Sequence, residues 1–314
     1  MASELILHHY QGSPFSEKVR LVLGMKGMAW RSVIVPVMLP KPDVVALTGG
    51  YRRTPFLQMG ADIYCDSALM CQVIDRLAPQ PPLYPPQYEG LADIVAQWAD
   101  SSLFWTAVPF TMQPAGAAHI FAGAPPEFLK AFGSDRAAMS PAMRRAPLAD
   151  ASSAVDAYVG RLESMLADDR AFLLGASPCI ADFAAAQSIW FMRRAPPVAA
   201  RLAPHARVAA WYERVAAFGH GESQPMTSAE AIAVAAASTG DKAPSKVRAG
   251  EAFAAGDAVT VAAADYAHDE VAGRLVGLDG EEVVVARSDP RAGEVHVHFP
   301  RVGFHIKAVK KEDA

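Results

Sequence analysis

A serine followed by a proline stands where the first apolar segment meets the first helical pattern of the chain. Proline suits the first turn of a helix, where the backbone N–H that it lacks would have no partner, so Ser13 directly precedes a helix that begins at Pro14. Free amides and the helix dipole favour an anion there, and they would lower the pKa of a thiol held at that place. The Ser13 hydroxyl could donate a hydrogen bond to such a thiolate. Serine is also a common helix cap, and on the local sequence alone capping is the favoured interpretation.

Two further motifs suit a peptide ligand. Pro55 opens a short predicted strand, which makes the Thr54–Pro55 bond a candidate cis peptide. A cis bond would turn the backbone groups of Thr54 toward an extended peptide that pairs like an added strand. Asp66 and Ser67 begin a predicted helix, where hydroxyl and amides suit a carboxylate and the Asp66 carboxylate suits an ammonium group. Helix capping explains this second pair equally well.

Other reactive side chains are weaker candidates. The cysteines are Cys65, Cys71 and Cys179. They lack the spacing of a metal site or a CxxC pair, and we interpret them as reduced thiols of a cytoplasmic protein. Cys65 is more typical of a small buried apolar residue than of a nucleophile, although its place beside Asp66 leaves mixed-disulfide chemistry open. His296 and His298 share one face of a predicted strand, but the sequence shows no third or fourth ligand, and we expect no metal.

The composition excludes some classes of function. Of the 314 residues, 52% are hydrophobic and 20% are charged, which is enough for a substantial core in two or three domains. The net charge of −4 argues against a nucleic-acid partner, which requires a dense basic face. The first residues do not resemble a signal peptide. No apolar run reaches about 18 residues, so we expect no membrane span.

The elements that must position the candidate residues alternate in type over the first part of the chain. Periodicity predicts strands at residues 5–10, 32–37, 55–59 and 61–65, and helices from Pro14 to about Lys26 and over 67–78. The order is βαβ, a connecting stretch, then ββα. Ser13 and Asp66 therefore fall at helix starts, and Thr54 falls just before a strand.

The composition then changes twice along the chain. A proline-rich joint is stiff and non-helical, and the alanine-rich segment after it predicts five to seven helices. A polar linker leads to five short strand-like segments, with Asp279-Gly280 typical of a hairpin turn. We therefore expect three parts: an α/β domain (1–80), an all-helical domain (86–238) and a small all-β domain of SH3-like barrel size (250–311).

Together, these motifs resemble the glutathione S-transferase family. The resemblance rests on the βαβ–ββα order, Ser-Pro-Phe-Ser at 13–16, Thr-Pro at 54–55 and Asp-Ser at 66–67, and it covers residues 4–237. The Ser-Pro-Phe motif is similar to that of the bacterial-type subclass in which the catalytic residue is a serine. The resemblance implies a thioredoxin-like domain that binds glutathione and a helical domain that forms the wall for a hydrophobic co-substrate. The β-rich residues 250–311 are an addition to the family pattern.

The resemblance also implies a role for each motif in the thiol chemistry. Ser13 matches the catalytic serine that stabilises the glutathione thiolate. Tyr10 is the alternative, because some subclasses activate the thiol with a tyrosine near the end of the first strand.

For the rest of the tripeptide, the resemblance implies the following contacts. Thr54 matches the residue whose backbone pairs with the glutathione cysteine, and Pro55 matches its cis-proline. Asp66 and Ser67 match the acidic-Ser pair that holds the γ-glutamyl end. Arg53 stands where a Lys or Gln often contacts glutathione.

Three functions remain open at this point. The first is a glutathione transferase, a homodimer without metal, that adds the thiolate of glutathione to an electrophilic hydrophobic substrate. The second is a non-catalytic glutathione-binding or interaction protein, a hypothesis suggested by the additional β-rich domain. The third is a thiol reductase that depends on Cys65.

Overall fold

The computed structural model describes residues 4–140, 147–238, 242–243 and 245–309. The outer ends of the first and last predicted domains, 1–3 and 310–311, lie outside these residues. The first domain consists of β1 (Leu5–His9), α1 (Pro14–Met25), β2 (Ala29–Ile34), α2 (Pro42–Thr48), β3 (Phe56–Met59), β4 (Asp62–Cys65) and α3 (Ser67–Leu77). The predicted strands and helices of this domain are confirmed, and α2 occupies the stretch for which the sequence predicted only a connection.

The strands of this domain form a mixed sheet in the order β4-β3-β1-β2. β1 runs parallel to β2 and antiparallel to β3, which is antiparallel to β4. All five residues of β1 are buried, because both faces of the sheet are covered. This is the thioredoxin-like arrangement, and it brings the start of α1, the start of β3 and the start of α3 to one end of the sheet.

The helical part follows the proline-rich joint. Its helices are α4 (Glu89–Trp98), α5 (Phe104–Thr111), α6 (Pro114–Ile120), α7 (Pro126–Met139), α8 (Leu148–Met165), α9 (Ile180–Arg193), α10 (Pro196–Ala199) and α11 (Ala206–Ala216). A π-helical turn, Ala99–Leu103, joins α4 to α5. α9 is the central helix and packs against α1, α4 and α5. The described helices outnumber the predicted five to seven, in part because Pro114 starts a separate helix where no break was predicted.

After α11 the chain returns to the first domain, which the sequence did not predict. β5 (Glu222–Pro225) adds a parallel strand to the edge of β2, and α12 (Ser228–Ala237) packs against α2, β2 and β9 (Gly293–Pro300). All four residues of β5 are exposed. A strand of this composition has no apolar pattern of its own and exists because the β2 edge offers unpaired backbone groups.

The C-terminal residues form the expected β-rich part. Its other strands are β6 (Ala258–Ala263), β7 (Val271–Leu278), β8 (Glu282–Asp289) and β10 (Phe304–Ala308). The strands pair antiparallel in the order β10-β6-β7-β8-β9, and Asp279 lies in the turn between β7 and β8. β9 also pairs with β4, in parallel. The two sheets therefore form one ten-stranded sheet, and the β-rich part shares a core with the first domain.

Among the helices of the described ranges, none combines the length and the apolar composition that crossing a bilayer requires.

Candidate functional site

Ser13 lies at the N-cap of α1 and touches the segment that contains Thr54. Its hydroxyl accepts a hydrogen bond from the backbone N–H of Ser16 at 3.2 Å and donates one to the carbonyl of Thr54 at 3.4 Å. The side chain is almost wholly buried. Ser13 is therefore a helix cap, and the same oxygen is placed beside the free amides of a helix N-terminus, where an anion is stabilised.

The Thr54–Pro55 peptide bond is cis, as the sequence suggested. A cation that the sequence analysis missed lies beside it: Lys41 donates from Nζ to Thr54 Oγ1 at 3.2 Å and to the carbonyl of Arg52 at 3.1 Å. Burial, together with the nearby Arg136, lowers the pKa of Lys41 to about 8. The available signal was Pro42, which starts α2 directly after Lys41, just as Pro14 starts α1 after Ser13.

Asp66 and Ser67 form the start of α3. Asp66 is the N-cap, and its carboxylate accepts from the backbone N–H of Ala68 at 2.9 Å. Its backbone has φ 74° and ψ 134°, a region that costs a non-glycine residue about 1–3 kcal/mol and is concentrated at functional sites. Ser67 accepts from the ammonium of Lys18 at 3.3 Å.

Lys18, which contacts Ser67, forms an ion pair with Asp100 in the interior of the protein. Lys18 is fully buried and donates from Nζ to Asp100 at 2.5 Å, and Gln187 donates to the other oxygen of Asp100 at 2.6 Å. Burial raises the pKa of Asp100 to about 6, and the Lys18 ammonium opposes that rise. Asp100 lies on the π-helical turn, a feature that is frequent at functional sites. The sequence carried no sign of this pair, because its members come from different domains.

Arg53 is engaged by the appended β-rich part. The β6–β7 loop, residues 264–270, places the Asp265 carboxylate and the Tyr266 carbonyl within hydrogen-bond reach of the guanidinium. The Tyr266 ring lies 3.7 Å from Arg53 Cζ and meets the edge of Trp105 at 4.9 Å. Burial raises the pKa of Tyr266 to about 12. The loop thus lies beside the sequence-predicted site, and the Arg53 guanidinium already has partners from this chain.

The same loop is held from the helical side. The Ala267 N–H donates to the carbonyl of Met139, the last residue of α7, at 2.6 Å. Arg52 of the first domain pairs with Asp135 of α7 at 2.8 Å. The β6–β7 loop therefore bridges the first and the helical domains at the edge of the site.

The two alternative reactive residues are placed differently from Ser13. Tyr10 is half-buried, and its carbonyl accepts from the Ser13 N–H at 3.2 Å. Cys65 is fully buried on β4, and burial together with the Asp66 carboxylate raises the pKa of its thiol well above the usual value. A reactive cysteine requires a lowered pKa and solvent access, so this geometry disfavours thiol chemistry at Cys65.

Comparisons with known proteins agree with this architecture. The family model described as glutathione S-transferase, N-terminal domain, matches residues 7–82, and the one described as glutathione S-transferase, C-terminal domain, matches residues 145–214. No curated protein sequence matches the chain significantly.

Solved structures extend the similarity beyond these two domains. A GST-like protein from Pseudomonas syringae is 39% identical with a TM-score of 0.79, over 98% of this chain and 100% of its own. A glutathione S-transferase from Rhodospirillum rubrum (18% identity, TM-score 0.51) and human glutathione transferase theta-2 (20%, 0.51) each match 68% of this chain, over 87% and 82% of their own lengths. The distant matches show the fold alone. With both domain models and a full-length relative in agreement, this chain belongs to the glutathione S-transferase family.

Proposed function

We propose that this protein binds glutathione at the end of the thioredoxin-like sheet and transfers its thiolate to an electrophilic hydrophobic substrate. The observation that carries the proposal is the 3.4 Å hydrogen bond between Ser13 Oγ and the Thr54 carbonyl. It brings the group that would stabilise a thiolate next to the backbone that would pair with the cysteine of a peptide.

The thiol chemistry would take place at the N-terminus of α1. Glutathione would lose its thiol proton to solvent, and the amides of the first helical turn with the Ser13 hydroxyl would stabilise the sulfur anion. The thiolate would then form a C–S bond to an electrophilic carbon, and the electron pair would leave with a displaced group or move into an activated double bond. Ser13 acts here as a hydrogen-bond donor rather than as a nucleophile.

The γ-glutamyl end has two complementary charges available. The Ser67 hydroxyl and the free amides of α3 would bind the α-carboxylate, with the Lys18 ammonium 3.3 Å behind Ser67. The Asp66 carboxylate would bind the α-ammonium group. The uncommon backbone conformation of Asp66 supports this role, because such conformations persist where the surroundings hold a residue for a ligand.

The glycine end would use Lys41. Its two hydrogen-bond partners, a hydroxyl and a carbonyl, are neutral, and it lies beside Thr54, with which the peptide backbone would pair. Arg53, which the resemblance placed among the glutathione contacts, is paired with Asp265. We therefore assign the glycine carboxylate to Lys41, with Arg53 joining only when the β6–β7 loop releases it.

Aromatic side chains would form the wall for the electrophile. The rings of Phe15 and Phe104 lie 4.5 Å apart with their planes tilted, and Trp105 lies between Phe104 and Tyr266 of the β6–β7 loop. The appended domain would thus supply part of the substrate wall. The theta-2 structure, which shares the fold, contains glutathione and an unknown ligand.

Calorimetry with glutathione tests the binding part of the proposal. We expect the wild type to bind and the double variant Asp66→Asn, Ser67→Ala to bind at least about tenfold more weakly, since it loses one charge and one hydroxyl contact. Asparagine tolerates a positive φ and still caps a helix, so the fold of α3 is kept. Thr227→Ala, which removes the N-cap of α12, is the control. No binding by the wild type at millimolar glutathione, or equal binding by the double variant, would contradict the proposal.

A second function, a glutathione-binding or interaction protein without turnover, is favoured by the position of the β6–β7 loop. The loop already contacts Arg53 and Trp105. Such contacts are expected if the site is closed and inactive. Turnover of a broad electrophile such as chlorodinitrobenzene separates the two. Conjugation by the wild type supports the transferase, and binding without conjugation across a panel of electrophiles supports the second function.

A further inference from the structure

Three metal-ligating groups meet where β4 of the thioredoxin-like domain pairs with β9 of the appended domain. The parallel register sets Asp62 opposite His296 and Tyr64 opposite His298. His298 Nε2 lies 2.9 Å and His296 Nδ1 lies 3.9 Å from Asp62 Oδ1, and one ligand atom from each of the three residues lies within 4.8 Å of the other two. The sequence showed the two histidines on one face but not the third group, because Asp62 precedes them by more than two hundred residues.

The surroundings orient two of the three groups. The second oxygen of Asp62 accepts from the Ala243 N–H at 2.7 Å, and His298 Nδ1 donates to the Glu282 carboxylate. A carboxylate on the far nitrogen of a histidine is the usual outer contact of a metal-bound imidazole, because it fixes the ring and makes the other nitrogen a better ligand. Asp62 and His298 are both nearly fully buried.

The third group, His296, is not oriented in this way. The Nδ1 atom of His296 is buried and has no hydrogen-bond partner among the described residues, and its 3.9 Å separation from Asp62 Oδ1 is too long for a hydrogen bond. A buried nitrogen left unpaired costs about 1–3 kcal/mol. The atom is therefore either a cost to the fold or a ligand.

The distances suit one ion between the three atoms. Ligands of a tetrahedral zinc ion, each about 2.0–2.2 Å from the metal, lie about 3.3–3.6 Å apart. The observed 2.9 and 3.9 Å bracket that range. A cavity of about 450 Å³, lined in part by Tyr64, Glu282 and His298, adjoins the cluster and offers a route for the ion and a water.

We propose that Asp62, His296 and His298 bind one divalent first-row transition metal of the zinc class, with a water as fourth ligand. Two imidazole nitrogens and one carboxylate form a donor set that suits such an ion better than magnesium or calcium, which prefer oxygen. The ion would fasten β9 to β4 and so join the appended domain to the glutathione-binding domain.

Without an ion, the same groups can hold a proton. Burial lowers the pKa of His298, but the hydrogen bonds to Asp62 and Glu282 outweigh it, and the net pKa is raised. In this alternative state His298 is a cation between two carboxylates, and the Nδ1 atom of His296 donates no hydrogen bond to either of them. The two states therefore differ in the role of His296.

Titration with Co²⁺ distinguishes them. The full-length chain, without a polyhistidine tag and stripped with a chelator, should bind one equivalent of Co²⁺ with the intense visible absorption of tetrahedral coordination, and Zn²⁺ should displace it. Glu282→Gln should weaken binding by about 10–100-fold, and His296→Ala by at least as much. His305→Ala, at an exposed histidine on β10, is the matched control and should bind like the wild type.

A negative result with His296→Ala can be interpreted, because the variant removes only one of the three proposed ligands. His296→Ala leaves the contacts of His298 with Asp62 and Glu282 intact, so the metal-free variant should still fold, and each protein is compared with its own metal-free form. Zn²⁺ should then raise the unfolding temperature of the wild type and not that of the variant. A wild type that binds neither ion, or a His296→Ala protein that binds as tightly as the wild type, would overturn the proposal.

Discussion

The hydroxyl oxygen of Ser13 has two roles: it caps the helix, and in the proposed chemistry it would contact the thiolate of glutathione. It accepts from the Ser16 N–H as a cap and donates toward Thr54, so a thiolate that replaces the Thr54 carbonyl as acceptor would leave the cap in place. Capping and catalysis are therefore compatible at Ser13, and they can be separated only by measuring both.

Ser13→Ala should change the two properties by different amounts. Loss of the cap should destabilise the protein by about 1 kcal/mol. Loss of a hydrogen bond to a charged sulfur, about 1.5–3 kcal/mol, should raise the pKa of the bound glutathione thiol by about 1–2 units, measured by the ultraviolet absorbance of the thiolate against pH. Thr227→Ala should lose similar stability without the pKa change. An unchanged thiol pKa in Ser13→Ala would leave capping as the only role.

Lys41 should make the binding of the glycine carboxylate depend on pH. Its pKa is lowered to about 8, so the ammonium is present below that pH and is lost as the pH rises through it. The affinity for S-methylglutathione, which has no thiol to titrate, should therefore fall about tenfold between pH 7 and pH 9. Lys41→Arg should show little of this fall, because arginine stays charged. Parallel pH profiles for the two proteins would contradict the assignment.

Among the elements, those with local start signals were predictable. Pro14 and Asp66 start α1 and α3 at the predicted residues. Such signals lie within four residues of the helix that they start, which is why the sequence reveals them.

The β6–β7 loop has no such signal, and its role rests on contacts with distant residues. Asp265 is half-exposed, so its ion pair with Arg53 is worth about 0.2–1 kcal/mol. If the pair competes with glutathione, Asp265→Asn should weaken the hold of the loop on Arg53 and raise the affinity for glutathione by up to about fivefold in calorimetry.

A second aspartate of the same loop is the control for this prediction. Asp269 approaches Arg52 only to 4.0 Å, so Asp269→Asn should change the affinity little. If Asp265→Asn lowered the affinity instead, the loop would be part of the bound state rather than a competitor of the ligand.

At the scale of the whole molecule, the appended domain is continuous with the thioredoxin-like one. Side chains of β1 and β3 share a core with those of β7, β8 and β9, and β9 covers the edge of β4. The appended domain is therefore less able to move or bind as an independent module than a small barrel on a linker would be. Its strands were predictable, but their attachment to the body was not.

The expected homodimer has a candidate surface on α4. Leu91 and Ile94, one helical turn apart, are 51% and 66% exposed, and they lie on one face of the helix, where a second copy of the chain could cover them. We expect a dimer mass for the wild type in light scattering and a monomer for Ile94→Asp. Val302→Asp, at an equally exposed apolar side chain in the turn after β9, should remain a dimer. A dimer in both variants would place the interface elsewhere.

The sequence by itself determined the βαβ and ββα order in the first domain and the motifs at the starts of its helices, because capping, proline placement and hydrophobic periodicity act over a few residues. Ser13, Thr54, Pro55, Asp66 and Ser67 could be selected in this way. Only the tertiary structure decided which groups meet across long distances in the chain: Lys18 with Asp100, Arg53 with Asp265, and Asp62 with His296 and His298. These contacts arise from strand pairing and from the packing of separate domains, and no local pattern of residues records them.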